Sequence, residues 1–195
     1  MEREVILTGI GGQGVQLAAK ILAEAANREG REVMMFGVFM GMIRGGSSES
    51  TVVVSTEAIV APPIVPKAWA VLGLHPEGLQ ALRGKIRPHG VLVLDANLAA
   101  REPEWPDVHR LLVPATDIAK GMGQAMGAAM VVLGAFAAAT GLVASASLAE
   151  AMRHLLPPHR RHLAEGNQRC IEAGAEFARA GAQAVRGGFG VAAWG

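Results

Sequence analysis

The sequence holds one cysteine, Cys170, in 195 residues. A disulfide framework is thereby excluded, and so is an iron–sulfur cluster held by this chain's own thiolates. Tyrosine is absent and aromatic residues make up 4%, too few for the ring platforms on which bases stack. Charge is nearly balanced at +1, and lysine is scarce, with Lys20, Lys67, Lys85 and Lys120 among 18 basic residues. No basic surface for nucleic acid follows from such a balance, and 51% hydrophobic residues exclude a disordered chain. The opening residues Glu2, Arg3 and Glu4 are charged and precede an apolar run of strand length, unlike a secretory signal. A cytoplasmic protein is expected. One stretch without charge, Gly121 to Ala149, is long enough to span a bilayer. Much of it is Ala, Gly, Ser and Thr, and Thr140-Gly141 interrupts it. It reads as a buried helix over about 124–140, packed against a sheet, with a separate helix from Leu148 onward and no membrane partner.

What is present is organised around residues 5–15, Val-Ile-Leu-Thr-Gly-Ile-Gly-Gly-Gln-Gly-Val. A strand-type run meets a glycine cluster, Gly9, Gly11, Gly12 and Gly14, and a helix-type segment follows at once. The order strand, G-x-G-x-x-G, helix gives the pattern its meaning. Glycines can take φ > 0 and let the backbone approach a ligand, while the first N–H groups of a helix lack internal partners. Such a loop seats a phosphate or carboxylate; equally, it is a tight turn where a helix packs on a strand. In a nicotinamide dinucleotide site an acid at the end of the second strand holds the ribose. Here that strand, about 32–38, ends in Phe36-Gly37-Val38-Phe39 with no carboxylate, so a standard site of that kind is not expected.

Further strands are expected at 4–8, 47–55, 68–74, 90–95 and 108–113, and helices at 14–29, 77–83 and, in the C-terminal half, about 159–180. Pro62, Pro63 and Pro66 stiffen one connection, which cannot be a central strand. Alternation of strands and helices predicts an α/β fold: a three-layer α/β/α arrangement around a mostly parallel, mixed sheet. The expected organisation is one domain over residues 1–182 and a loose glycine-rich tail over 183–195. Sheets of this type bind ligands at the carboxyl ends of their strands. The first strand brings the glycine loop to that edge and the second brings Arg44, flanked by Gly45 and Gly46.

Taken together, Gly9-Ile10-Gly11-Gly12-Gln13-Gly14 and Arg44-Gly45-Gly46 before a β-branched strand resemble the gamma subunit, or gamma domain, of the 2-oxoacid:ferredoxin oxidoreductases. That group comprises the pyruvate, 2-oxoglutarate, ketoisovalerate and indolepyruvate enzymes. The resemblance runs over about residues 3–180 and takes in Pro62, the strand at 90–94 and Met130-Val131-Val132-Leu133-Gly134. The chain departs from the family pattern at Lys67-Ala68-Trp69, where an aspartate is common, and at Ala129, where an asparagine is. The resemblance implies a complex in which a 2-oxoacid is oxidatively decarboxylated on thiamine diphosphate with Mg. Electrons pass through iron–sulfur clusters to ferredoxin, and coenzyme A takes the acyl group. Thiamine is implied between alpha and beta subunits and the clusters in a ferredoxin-like subunit. The gamma part is implied to serve coenzyme A binding and assembly, so the isolated chain is expected to be inactive. A free-standing nucleotide or acyl-CoA binding module is the alternative, and an independent NAD(P) enzyme a third.

The residues that would form such a site are Gly9, Gly11, Gly12, Gln13, Gly14, Arg44, Gly45 and Gly46; none is expected to be catalytic or to bind a metal. The Arg44 fork suits phosphate oxygens, or else a carboxylate of a partner subunit. Gln13 either bonds the same ligand or caps the turn. The cluster of His154, His159 and His162 with Arg153, Arg160 and Arg161 lacks the spacing of a metal site and reads as a solvated basic patch, or else as a seat for an acidic partner surface or a coenzyme A phosphate. Cys170 reads as a small packed residue, and Asp95 and Asp117 as caps. The apolar cluster Met34-Met35-Phe36 with Phe39-Met40 suits either an interface or the core.

Overall fold

The computed structural model describes residues 1–39, 46–60, 65–82, 84–98 and 107–184. Six strands form one sheet in the order β2-β3-β1-β4-β5-β6. They are β1 (Glu2–Ile10), β2 (Glu32–Phe39), β3 (Ser47–Ser55), β4 (Ala68–Gly73), β5 (Ile86–Asp95) and β6 (His109–Val113). Six α-helices accompany them: α1 (Val15–Arg28), α2 (Pro76–Ala81), α3 (Ala115–Gly121), α4 (Ala128–Thr140), α5 (Ser145–Leu155) and α6 (Ala164–Ala184).

The predicted α/β class holds, and the mixed character of the sheet comes from one strand. β3 is antiparallel to both neighbours, pairing Glu2↔Ser55 through Ile10↔Ser47 with β1 and Glu32↔Ser55 through Phe39↔Ser48 with β2. β2, antiparallel to β3, therefore runs parallel to β1. β4 pairs with β1, β5 with β4 and β6 with β5 in parallel. β1 alternates between two cores. Val5 and Leu7 pack with α1 and α3–α6, while Ile6 packs with Leu79, Leu82, Leu92 and Leu94 on the other face. A strand apolar on both faces is what a parallel interior strand requires.

The uncharged stretch forms α4, whose residues Ala129–Ala137 are all buried. It begins at Ala128 rather than near 124, because the chain first makes a turn in which Gly127 N–H donates to the Gln124 carbonyl (2.7 Å). No helix among the described residues is long and apolar enough to cross a membrane. α4 and α6 pack at backbone distance. A Cβ on Gly134 would stand 1.9 Å from the Ile171 carbonyl, and one on Gly174 would stand 1.9 Å from the Val131 carbonyl.

Other boundaries differ from expectation as well. β5 begins at Ile86, ahead of the expected residue 90, since Ile86 already pairs with Ala68. Pro88 is accommodated because the ladder with β6 starts only at Val91. The last helix starts at Ala164 after a 3-10 segment over Pro158–Leu163, which follows from the two prolines that open it. It runs to Ala184; the rest of the expected tail, 185–195, lies outside the described residues.

Candidate functional site

The carboxyl end of β1 becomes the glycine loop, and four features shape it. Gly12 and Gly14 take left-handed backbone conformations, φ +97° and +83°, which a side chain disfavours. Gly9 is needed for space instead, since a Cβ there would stand 2.6 Å from Gln13 Oε1 and 2.9 Å from Val15 Cγ2. Gly14 is the N-cap of α1, with no side-chain cap and no acidic residue in the first turn. Among the described residues, no side-chain cap or first-turn acid offsets the positive end of this 14-residue helix. Among the described residues, the N–H groups of Gly12 and Gly14 have no acceptor.

The loop also touches the connection that carries Arg44. Gly11 N–H donates to the Gly46 carbonyl at 2.8 Å, extending the β1–β3 ladder past the pair Ile10↔Ser47. Residues 40–45, with Arg44 and Gly45, lie outside the described residues. Their flanks, Phe39 and Gly46, are at the same sheet edge as the glycine loop.

Gln13 spends its amide inside the protein. Its Oε1 accepts from Ile10 N–H (2.8 Å), its Nε2 donates to the Leu74 carbonyl (3.2 Å), and its own N–H donates to the Ile10 carbonyl (3.2 Å). It braces the loop against the end of β4. A second glutamine, which the sequence reading did not single out, plays a matching part on the other side. Gln16 Nε2 donates to the Glu49 carbonyl (3.1 Å) and to Ser48 Oγ (3.3 Å) at the start of β3. Its signal in the sequence was a glycine inside a strand, Gly37, where a Cβ would stand 2.8 Å from Gln16 Oε1.

α4 approaches the same place from the side. A Cβ on Gly14 would sit 3.6 Å from Ala129 Cβ, and α4 too begins without a side-chain cap. Cys170 is fully buried, and a Cβ on Gly127 would stand 2.6 Å from its sulfur. It packs at the start of α4, and burial pushes its thiol pKa up. Asp95, buried at the end of β5, caps the first turn of α3 by accepting from Thr116 N–H (3.0 Å) and from its hydroxyl. It also accepts from Asn97 N–H (3.2 Å).

The remaining candidates scatter. His154, His159 and His162 are exposed, with His154 beside Glu24 (3.2 Å). Among the described residues no group of three or more His, Cys, Asp or Glu is placed to hold a metal ion. The apolar cluster on β2 divides by pleat: Met35 packs toward the α1 core, while Phe36 is 49% exposed.

Comparison with known proteins identifies the family and the fold. Residues 4–177 match the family described as pyruvate ferredoxin/flavodoxin oxidoreductase. Ketoisovalerate oxidoreductase subunit VorA of Methanothermobacter thermautotrophicus is 33% identical over 180 residues, covering 91% of this chain and 37% of that protein. The chain thus spans little more than a third of that relative's length. The solved gamma subunit of a keto/oxoacid ferredoxin oxidoreductase from Geobacter sulfurreducens superposes with a TM-score of 0.77 at 27% identity. That match covers 91% of this chain and 99% of that one. The 2-oxoglutarate:ferredoxin oxidoreductase from Magnetococcus marinus, determined with 2-oxoglutarate, coenzyme A and succinyl-CoA bound, superposes with a TM-score of 0.81. At 23% identity, over 92% of this chain and 31% of that one, it speaks to the fold alone.

Proposed function

The chain belongs to the pyruvate ferredoxin/flavodoxin oxidoreductase family, as a gamma-type subunit of a 2-oxoacid:ferredoxin oxidoreductase, and from that membership we propose that its own part is to bind coenzyme A and to hold the complex together. The chemical step belongs to other subunits. Thiamine diphosphate with Mg sits in alpha and beta subunits, and a ferredoxin-like subunit carries the iron–sulfur clusters and passes electrons to ferredoxin. A single cysteine is consistent with that division.

The hydrogen bond between Gly11 N–H and the Gly46 carbonyl (2.8 Å) carries the proposal. It joins the glycine loop to the residue that directly follows Arg44-Gly45 in the chain, which supports the reading that one anion is shared by both motifs. The residues present fit a phosphate group. The N-terminus of α1, the N–H groups of Gly12 and Gly14, which have no acceptor among the described residues, and the absence of acid in the first turn all favour negative charge. Bound coenzyme A supplies the thiol that takes the acyl group. This chain's residues hold its phosphates: Gly12 and Gly14 through the backbone, Arg44 through a charge-assisted pair. Gly9 and Gln13 keep the loop in shape, and Gly46 anchors the segment that carries Arg44 and Gly45 to it.

Titration of coenzyme A into the assembled complex tests this. Arg44→Ala removes a charged contact worth about 1.5–3 kcal/mol, so affinity falls roughly tenfold to a hundredfold with the fold intact by circular dichroism. An unchanged dissociation constant assigns Arg44 to a partner's carboxylate and removes it from the ligand site.

A further inference from the structure

Gln16 lies in the first turn of α1, where side chains are ordinarily free to face solvent or a ligand. Here it is turned inward, over β2 and β3. Its Nε2 donates both hydrogens to the start of β3, at the Glu49 carbonyl (3.1 Å) and Ser48 Oγ (3.3 Å). Ser48 is buried and pairs with Gly9 at the entrance of the glycine loop. The neighbouring strand leaves room for the arrangement: a Cβ at 37 would stand 2.8 Å from Gln16 Oε1, and the end of the glutamine would have to shift. A glycine inside a strand weakens it, so Gly37 gives up strand stability for the approach of one glutamine.

The position of β3 matters to the loop. Two residues before Ser48, Gly46 offers the carbonyl that holds Gly11 N–H. Gln16 thus ties the helix whose N-terminus forms one wall of the site to the strand that forms the other. Gln13 makes the corresponding tie to β4 through the Leu74 carbonyl (3.2 Å). With both glutamines engaged, the loop is braced on each side before any ligand arrives.

We propose that Gln16 is a positioning residue for the anion site. It holds Gly46 and Ser48 against the glycine loop and so keeps the loop in the conformation that accepts the phosphate. The proposal rests on the reading of this loop as a coenzyme A seat. A residue that contacts ligand directly slows dissociation. A residue that maintains the competent conformation instead raises the fraction of molecules able to bind, and so acts on association.

Gln16→Met keeps the length and packing of the side chain and removes both hydrogen bonds. In the assembled complex, amide exchange at Gly11 is expected to rise roughly fivefold to a hundredfold, as two neutral hydrogen bonds imply. Amides of the β1–β4 ladder keep their protection. Stopped-flow binding of coenzyme A should show a slower association rate and an unchanged dissociation rate, whereas Arg44→Ala speeds dissociation. Unchanged exchange at Gly11, or an unchanged association rate, overturns the proposal. So does loss of protection throughout the ladder, which makes Gln16 a support of the whole fold. If the unmodified complex binds no coenzyme A, the parent reading fails and the ligand role of Gln16 with it; the exchange at Gly11 then still reports whether the brace exists.

Discussion

The contact between α4 and α6 allows a test in which two glycines of one helix respond with opposite signs. An alanine at Gly174 would place its Cβ 1.9 Å from the Val131 carbonyl oxygen, 2.8 Å from its carbon and 3.0 Å from Ala135 N. Ordinary contact begins near 3.4 Å, so the helices must part by about 1.5 Å (3.4 − 1.9). No side chain can swing aside, because every atom met is backbone of a buried helix. Overpacking of this kind costs about 1–3 kcal/mol, and contact with backbone puts Gly174→Ala at the upper end. Replacing a helical glycine by alanine returns up to about 1 kcal/mol of propensity, leaving a net loss near 2 kcal/mol. For a chain of this size that lowers Tm by roughly 4–8 °C. At Gly181, two turns further along the same helix, no described atom lies within 4 Å of an added Cβ. There the propensity term stands alone, and Gly181→Ala should raise Tm by roughly 1–4 °C. Thermal unfolding of the two full-length variants beside the parent decides the matter. A Gly174→Ala variant as stable as the parent, or two shifts of the same sign, refutes the claim that backbone contact rather than side-chain packing sets the α4–α6 distance.

Two further outcomes follow from buried polar groups. Cys170 is fully buried and its thiol pKa is raised by that burial, so native protein at pH 7 should react with a thiol reagent slowly, and only in denaturant should labelling be complete; fast labelling of native protein contradicts its packed position. The folded state therefore keeps the Cys170 proton to higher pH than the unfolded chain, and this group's effect on stability is a decline with rising pH above the unfolded thiol range of about 8.5, visible as a lower urea midpoint at pH 10 that Cys170→Ala removes. Asp95→Ala deletes the cap on Thr116 N–H and Asn97 N–H and should cost about 1–2 kcal/mol, while Asp95→Asn, which keeps one acceptor, recovers part of it in the same urea titration.

The strands were legible because their residues are apolar on both faces or β-branched; β3 matches its expected span, 47–55, at both ends. The helix starts were less so. α4 and α6 begin after turns at Gly127 and Leu163 that depend on hydrogen bonds and a 3-10 segment rather than on periodicity. Within the site, the glycine pattern was visible, but not what each glycine does. Gly12 and Gly14 supply a left-handed backbone, whereas Gly9 supplies space for Gln13. Nothing in the order of residues separates these two needs. Gln13 was left open between ligand contact and turn cap, and three hydrogen bonds place it with the turn. Gln16 went unnoticed because its partners, Ser48 and Glu49, are 32 and 33 residues away and become neighbours only when β3 inserts beside β1.

That insertion also changes the argument against a nicotinamide dinucleotide. The sequence reading relied on a missing carboxylate at the end of β2. In the dinucleotide fold the second strand lies beside the first, so its end reaches the ribose of a ligand seated on the glycine loop. Here the order is β2-β3-β1, and β2 is displaced by one strand spacing, standing about 9.6 Å from β1 instead of about 4.8 Å. A carboxylate at Phe39 would therefore be out of register with such a ribose even if it were present. The place beside the loop belongs instead to the start of β3, whose Gly46 carbonyl takes Gly11 N–H. The same G-x-G-x-x-G turn thus serves a different neighbourhood: what stands next to it is not the acid that reads a ribose but the strand that follows Arg44. The topology, rather than the loss of one residue, argues against a dinucleotide on this loop, in keeping with the proposed anion site.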